Sequence, residues 1–244
     1  MPRPSLARRC LAEAFATFAL VFAGCGALVL DHERGGSLGA VGIAATFGLV
    51  IMVMVYATGH LSGAHINPAV TIAFSSSRHF PVRDALAYVP SQLAGAVAGA
   101  LLLRLVWSGT PADLGPTHPT VGDGAALTYE IVLTAILMFV IMAVATDTRA
   151  VGAAAAIAIG GTVALDSLFA GGATGASMNP ARSFGPALVA SSWSDIWIYL
   201  AGPLVGAVAG GVLYQLVRGG QTRPEPDVQA EAKRTDRTFE EALR

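Results

Sequence analysis

The octapeptide Gly63-Ala64-His65-Ile66-Asn67-Pro68-Ala69-Val70 returns 112 residues later as Gly175-Ala176-Ser177-Met178-Asn179-Pro180-Ala181-Arg182. Two other features repeat at nearly the same distance. Gly95-Ala96-Val97-Ala98-Gly99 returns as Gly206-Ala207-Val208-Ala209-Gly210, and Glu13 has a counterpart in Glu130. Three coincidences at one period indicate an internal duplication. The motifs lie among six mostly apolar stretches, at roughly 10–30, 39–58, 85–107, 126–146, 151–171 and 194–217. Each comes close to the 20 or so residues that a helix needs to cross a hydrocarbon core. Each half of the chain therefore carries three spans, and an odd number turns the second half over relative to the first. Inverted repeats of this kind put their functional site at the midplane, where broken helices meet.

Composition agrees with a membrane protein. Of 244 residues, 54% are apolar and 13% are charged, against about 25% charged in an ordinary soluble domain. That deficit excludes a disordered chain, a coiled coil and most soluble enzymes. A net charge of −1 argues against a nucleic-acid partner, which needs a dense basic face. Cys10 and Cys25 stand too far apart along the first apolar segment to bond each other, and they lack metal-ligand spacing. His60 and His65 have no further ligand nearby in sequence, so no metal and no cofactor is expected. The stretch 1–218 reads as one channel-forming domain, with repeat one at about 1–110 and repeat two at about 120–218. Residues 219–244 carry the only lysine, Lys233, and read as a polar, disordered tail.

Arginines orient the chain. Arg3, Arg8 and Arg9 precede the first span, Arg78 and Arg83 fall between the second and third, Arg149 follows the fourth, and Arg218 and Arg223 follow the sixth. The positive-inside rule then places both termini in the cytoplasm. The N-terminal arginines and Phe22-Ala23-Gly24-Cys25 also fit a lipoprotein signal. Glu13 inside the apolar run argues against cleavage, and the repeat requires this helix.

Two apolar stretches, about 65–76 and 177–190, are too short to cross alone. Asn is a favoured N-cap and Pro a favoured first helical residue, so each Asn-Pro-Ala reads as the start of a half-helix. Two half-helices of about 15 Å meeting end to end would span the core. Irregular backbone at that depth is tolerated only where protein buries it or water lines it. Both positive helix ends would face the centre, repelling cations, and the Asn67 and Asn179 amides would donate to a neutral solute there. The motif predicts a pore. Glu13 and Glu130, one per repeat, read as acceptors for the N–H groups of the unwound loops rather than as a proton relay. The glycines at 95, 99, 206 and 210 read as close helix crossings. Asp166 has no sequence-level role beyond pairing with an interior donor or lying near the outer water boundary.

At these residues the chain resembles the major intrinsic protein (aquaporin) family over about 1–218. Both signatures, Asn67-Pro68-Ala69 and Asn179-Pro180-Ala181-Arg182, match without departure. The resemblance implies an all-α bundle of six transmembrane helices and two half-helices, a pore in each subunit, and a homotetramer in the lipid bilayer. It assigns Phe47, Ser167, Ala176 and Arg182 to the selectivity filter, and Glu13, Glu130 and His65 to support of the pore loops. Water-selective members usually carry His where Ser167 stands, and glycerol facilitators carry Trp, Gly and Phe at the first three positions. This chain departs from both. Ser for His leaves a wider opening with one hydroxyl that donates or accepts. Gly48 through Tyr56, Phe169 through Met178, and Ser183, Ala187, Tyr199 and Leu200 resemble the nodulin-like branch, although Ser183 departs from the Asp common in glycerol facilitators. The branch implies passage of glycerol, urea or metalloid hydroxides. The expected function is a passive channel for water and small neutral solutes that excludes ions and protons. The rivals are a strictly water-selective channel and a secondary active transporter, which also uses inverted repeats. No nucleophile–base pair suggests an enzyme, and the short loops suit a bacterial inner membrane.

Overall fold

Long apolar runs with few breakers can satisfy their backbone in lipid only by winding into helices. The computed structural model describes residues 4–108, 114–146 and 154–219. Among them are α1 (Leu6–Leu20), a wider π-helical turn (Val21–Cys25), α2 (Gly26–Glu33), α3 (Gly39–Ser62), α4 (Pro68–Ser76), α5 (Val82–Val106), α6 (Asp123–Thr146), α7 (Ala155–Thr174), α8 (Pro180–Ala190) and α9 (Ile196–Arg218). α1, the wide turn and α2 run on as one span, Leu6–Glu33, and α3, α5, α6, α7 and α9 supply the other five long enough to cross a membrane. α4 and α8 are the two half-helices. The chain divides into one unit at Met1–Tyr214 and a second at Gln215–Arg244. Arg3, Arg149, Arg223, Asp113 and the tail from 220 lie outside the described residues.

The described helix ends differ from the expected ones for a local reason. α3 and α7 run on to Ser62 and Thr174, past the apolar stretches that end near 58 and 171. Ser62 and Thr174 are polar yet buried, so the hydropathy pattern fades a turn before the helix does. Both helices stop at a glycine in the left-handed region, Gly63 (φ 94°) and Gly175 (φ 81°), whose N–H bonds back to the carbonyl four residues earlier. Glycine is the residue that adopts this cap without a Cβ penalty.

Polarity is distributed inside out. Leu11, Leu86, Leu105 and Leu216 stand more than 70% exposed on the outer face, while Glu13, Glu130, Gln92 and Asp166 are fully buried. Lipid is as apolar as leucine, so helices here are joined by close packing and hydrogen bonds rather than by a hydrophobic drive. Close packing is achieved at glycines. Gly95 and Gly99 lie against the carbonyls of Ala14 and Phe18, so α5 meets α1, and Gly206 and Gly210 lie against those of Ile131 and Ala135, so α9 meets α6. Gly48 of α3 and Gly160 of α7 each face the other's carbonyl, which joins the two repeats.

Candidate functional site

Each half-helix begins where a buried carboxylate arrests an irregular loop. Glu13 Oε1 accepts from the His65 N–H (3.0 Å) and the Ser62 hydroxyl (2.6 Å), and Oε2 accepts from the Ile66 N–H (2.7 Å) and the Gln92 amide (2.8 Å). In the second repeat, Glu130 Oε1 accepts from the Ser177 N–H (2.9 Å) and the Thr174 hydroxyl (2.8 Å), and Oε2 from the Met178 N–H (2.8 Å). These bonds hold an uncommon backbone. Ala64, Ile66, Ala176 and Met178 all have φ between 40° and 58°, a region that costs a non-glycine residue about 1–3 kcal/mol and persists only when the surroundings impose it. Tyr88 and Tyr199 donate to the carbonyls of Ser62 and Thr174 from equivalent positions.

The asparagines join the two loops. Asn67 Oδ1 caps α4 by accepting from the Ala69 N–H, and its amide donates to the Met178 carbonyl (2.7 Å). Asn179 Oδ1 caps α8 by accepting from the Ala181 and Arg182 N–H groups, and its amide donates to the Ile66 carbonyl (2.9 Å). The N-termini of α4 and α8 therefore abut. The amides were expected to donate into a lumen, and one N–H of each is committed across the interface. A carboxamide has two N–H groups, so each asparagine keeps a second donor at the border of the central cavity.

Three cavities lie along this junction. A central cavity of roughly 70 Å³ is bordered by Gly63–Asn67, Ala176–Asn179, Phe47 and Arg182, with an apolar wall that includes Val55, Phe74 and Ile141. A wider cavity of roughly 460 Å³ on one side is bordered by Ser167, Thr120, His32 and His118, again with Phe47 and Arg182. A third of roughly 400 Å³ opens on the other side beside His60, His65 and His79. The small central cavity forms a neck that shares Phe47 and Arg182 with the first of these wider cavities and Gly63, His65 and Phe74 with the second. Arg182 is 2% exposed, its guanidinium carbon lies 5.0 Å from the Phe47 ring centroid, and its Nη1 donates to the Gly115 carbonyl (2.9 Å). Stacking on an aromatic face and bonding to a carbonyl fix a cation that burial would otherwise make costly.

Other expected site residues fall around this frame. Ser167 borders the 460 Å³ cavity, and Ala176 borders the neck. His65 borders the neck and the 400 Å³ cavity, with Nδ1 3.0 Å from the Thr71 hydroxyl and its ring packed on Phe74, Phe80 and Tyr88. Pro68, Ala69, Pro180 and Ala181 form the buried first turns of the half-helices. Asp166 is fully buried, and neither carboxylate oxygen has a hydrogen-bond partner among the described residues. Ser183 is tied into a hydroxyl chain, bonding Thr117 (2.9 Å) and Ser177 (2.6 Å), and Ser177 donates to the Asn179 carbonyl. Sequence reasoning missed Ser62, Thr174, Gln92, Thr117 and the Gly115 carbonyl. The first two stand one repeat apart, 112 residues, which was a usable signal.

Six spans, two opposed half-helices and a central cavity lined by both Asn-Pro-Ala loops define a membrane channel of the double Asn-Pro-Ala type. The chain belongs to the major intrinsic protein family, whose description matches residues 1–214. It is 49% identical to maize Aquaporin NIP1-1 over 211 residues, 86% of this chain and 75% of that one. It is 48% identical to soybean Nodulin-26 over 211 residues, 86% of this chain and 78% of that one. A solved structure, the X-ray structure of the aquaglyceroporin from Plasmodium falciparum, is 28% identical and superposes with a TM-score of 0.77, covering 86% of this chain and 96% of that chain. The protein is a multi-pass membrane channel for water and small solutes, of the nodulin-26-like kind, and not an enzyme.

Proposed function

We propose that the channel passes small uncharged polyhydroxy solutes such as glycerol, urea or metalloid hydroxides as well as water, and excludes ions and protons. The observation that carries this reading is the wall of the constriction. Phe47 supplies one ring and Arg182 one cation at the border of both cavities, while Ser167 adds only a small hydroxyl to the wider cavity and Ala176 only a methyl to the neck. A permeant leaving bulk water needs its hydrogen bonds replaced along the path. Arg182, the second N–H of each asparagine and the Ser167 hydroxyl supply donors, and Phe47 accommodates the carbon skeleton. The Plasmodium falciparum structure is described as an aquaglyceroporin, which supports glycerol as the first solute to try.

Liposomes containing the purified protein, shocked with glycerol or a neutral metalloid hydroxide, are expected to shrink fast and then reswell fast, as followed by light scattering. Shrinkage without reswelling would leave the strictly water-selective reading. Ser167→His restores a ring to the wall and is expected to cut glycerol flux roughly tenfold, the scale on which one misfit group discriminates, with water flux falling much less. Equal loss of both in folded protein would remove Ser167 from the constriction.

Ion exclusion rests on electrostatics. α4 and α8 point their N-termini at the same place from opposite sides, and Arg182 adds a fixed charge nearby. A cation or hydronium at the neck would face all three. Under an imposed pH gradient the proteoliposomes are expected to show no proton flux above that of empty liposomes, whereas dependence of uptake on a proton or sodium gradient would favour a coupled transporter. We further assign both termini to the cytoplasm and the protein to the plasma membrane. The short loops suit a bacterial inner membrane, the assembly is a homotetramer, and 1–218 is the channel domain with 219–244 as its tail.

A further inference from the structure

We propose that Gly24, in the first span, is a specificity-determining position of the constriction because it seats the Phe47 ring. The inference rests on the reading that Phe47 and Arg182 bound the constriction. Leu20 borders the central cavity and Leu28 the 460 Å³ one. Gly24 lies between them at helical i+4 spacing, so it belongs to the same face. It nevertheless borders neither cavity, since the Phe47 ring covers it. A Cβ on Gly24 would fall 2.6 Å from Phe47 Cδ1 and 2.8 Å from Cζ, closer still to Cε1, with the ring filling the space a side chain would take.

The local winding contributes. Val21–Cys25 is the one π-helical segment among the described residues, and such turns inside α-helices are frequent at functional sites. Gly24 and Cys25 are buried within it. The Phe47 ring also carries the Arg182 guanidinium, 5.0 Å from its centroid. The ring is therefore stacked against both Gly24 and Arg182, and what stands at position 24 sets how far it protrudes into the lumen. The first span is the hidden wall of the filter.

This glycine differs from the crossing glycines in what a side chain would strike. At Gly95, Gly206 and Gly210 the obstacle is a neighbouring backbone, whereas at Gly24 it is the end of a side chain that can turn. Gly24→Ala is therefore expected to fold, displace the ring toward Arg182 and narrow the opening. In proteoliposomes, glycerol flux should fall roughly tenfold, and water flux by no more than about threefold, on the scale of one misfit group in a constriction. Gly161→Ala, on an exposed face of α7 with nothing near its Cβ, serves as the control and should change neither.

The effect should depend on the ring. In a Phe47→Ala background, adding Gly24→Ala should shift the glycerol-to-water ratio by less than about twofold, the non-additivity of positions in contact. An unchanged ratio in folded Gly24→Ala, or a shift of the same size with and without Phe47, would overturn the inference. Should Gly24→Ala misfold, the double variant decides. Recovery of monodisperse protein on removing the ring supports the stack, and no recovery refutes it. If neither Ser167→His nor Phe47→Ala moves the ratio, the reading of the constriction itself fails. If both move it and Gly24→Ala does not, only the seating role fails.

Discussion

Replacing Glu130 with alanine is expected to abolish the folded channel. Its carboxylate is fully buried and accepts from the Ser177 and Met178 N–H groups and the Thr174 hydroxyl. Alanine would leave two backbone donors unpaired in a region that water reaches only through the lumen. Each unsatisfied buried donor costs about 1–3 kcal/mol, so the two cost about 2–6 kcal/mol. The strain of Ala176 and Met178, both at positive φ, would lose the contacts that impose it. That is a large fraction of a net stability of about 5–15 kcal/mol. Size-exclusion chromatography in mild detergent should show little monodisperse protein, and any that survives should melt well below wild type. Glu130→Gln keeps one acceptor oxygen and should lose less. A Glu130→Ala variant that melts like wild type would mean that the second loop is held by something else.

A comparable loss is expected from Gly206→Val, for a different reason. A Cβ at Gly206 would run into the Ile131 carbonyl and lie 2.9 Å from the Thr134 Cβ. Neither obstacle can rotate aside, so α9 and α6 must separate, and the hydrogen bonds between Glu130 and the loop that follows α7 sit close to that crossing. Overpacking a rigid contact costs about 1–3 kcal/mol, and more where backbones must move. In lipid no hydrophobic drive closes the gap again. The equivalent change in the first repeat, Gly95→Val against the Ala14 carbonyl, should fail in the same way. Wild-type yield and melting temperature in either variant would show that these crossings tolerate separation.

Much of the fold was legible because its constraints are periodic. Spans announce themselves by length, and a residue that matters in one repeat tends to have a partner roughly one period away, 111 to 117 residues on. Glu13 and Glu130 were found that way, and so could Ser62 with Thr174 and Tyr88 with Tyr199 have been. Three things were not legible. Gln92 donates to Glu13, but the corresponding place in the second repeat is Pro203, so symmetry gave no warning. The Gly115 carbonyl that receives Arg182 belongs to a loop with no counterpart, and a backbone acceptor leaves no mark on composition. The contact of Gly24 with Phe47 depends on a local change of helical winding that no hydropathy pattern records. The amides of Asn67 and Asn179 were legible as caps from their own motifs, but the bonds that join them to the opposite loops are set by how the halves meet.

Those crossed bonds, Asn67 to the Met178 carbonyl and Asn179 to the Ile66 carbonyl, with Gly48 set against Gly160, have the form of a self-complementary contact about a two-fold axis, in which residue i meets j and j meets i. The molecule is in effect an obligate dimer of halves written in one chain. When ribosomal synthesis has passed the first half but not yet Asn179, the Ile66 carbonyl has no amide to receive and Asn67 has no carbonyl to reach. The first three spans must wait, incompletely bonded, until α8 enters from the other side. Closure of the site therefore waits on α8, so a chain halted before it yields no half-channel that conducts.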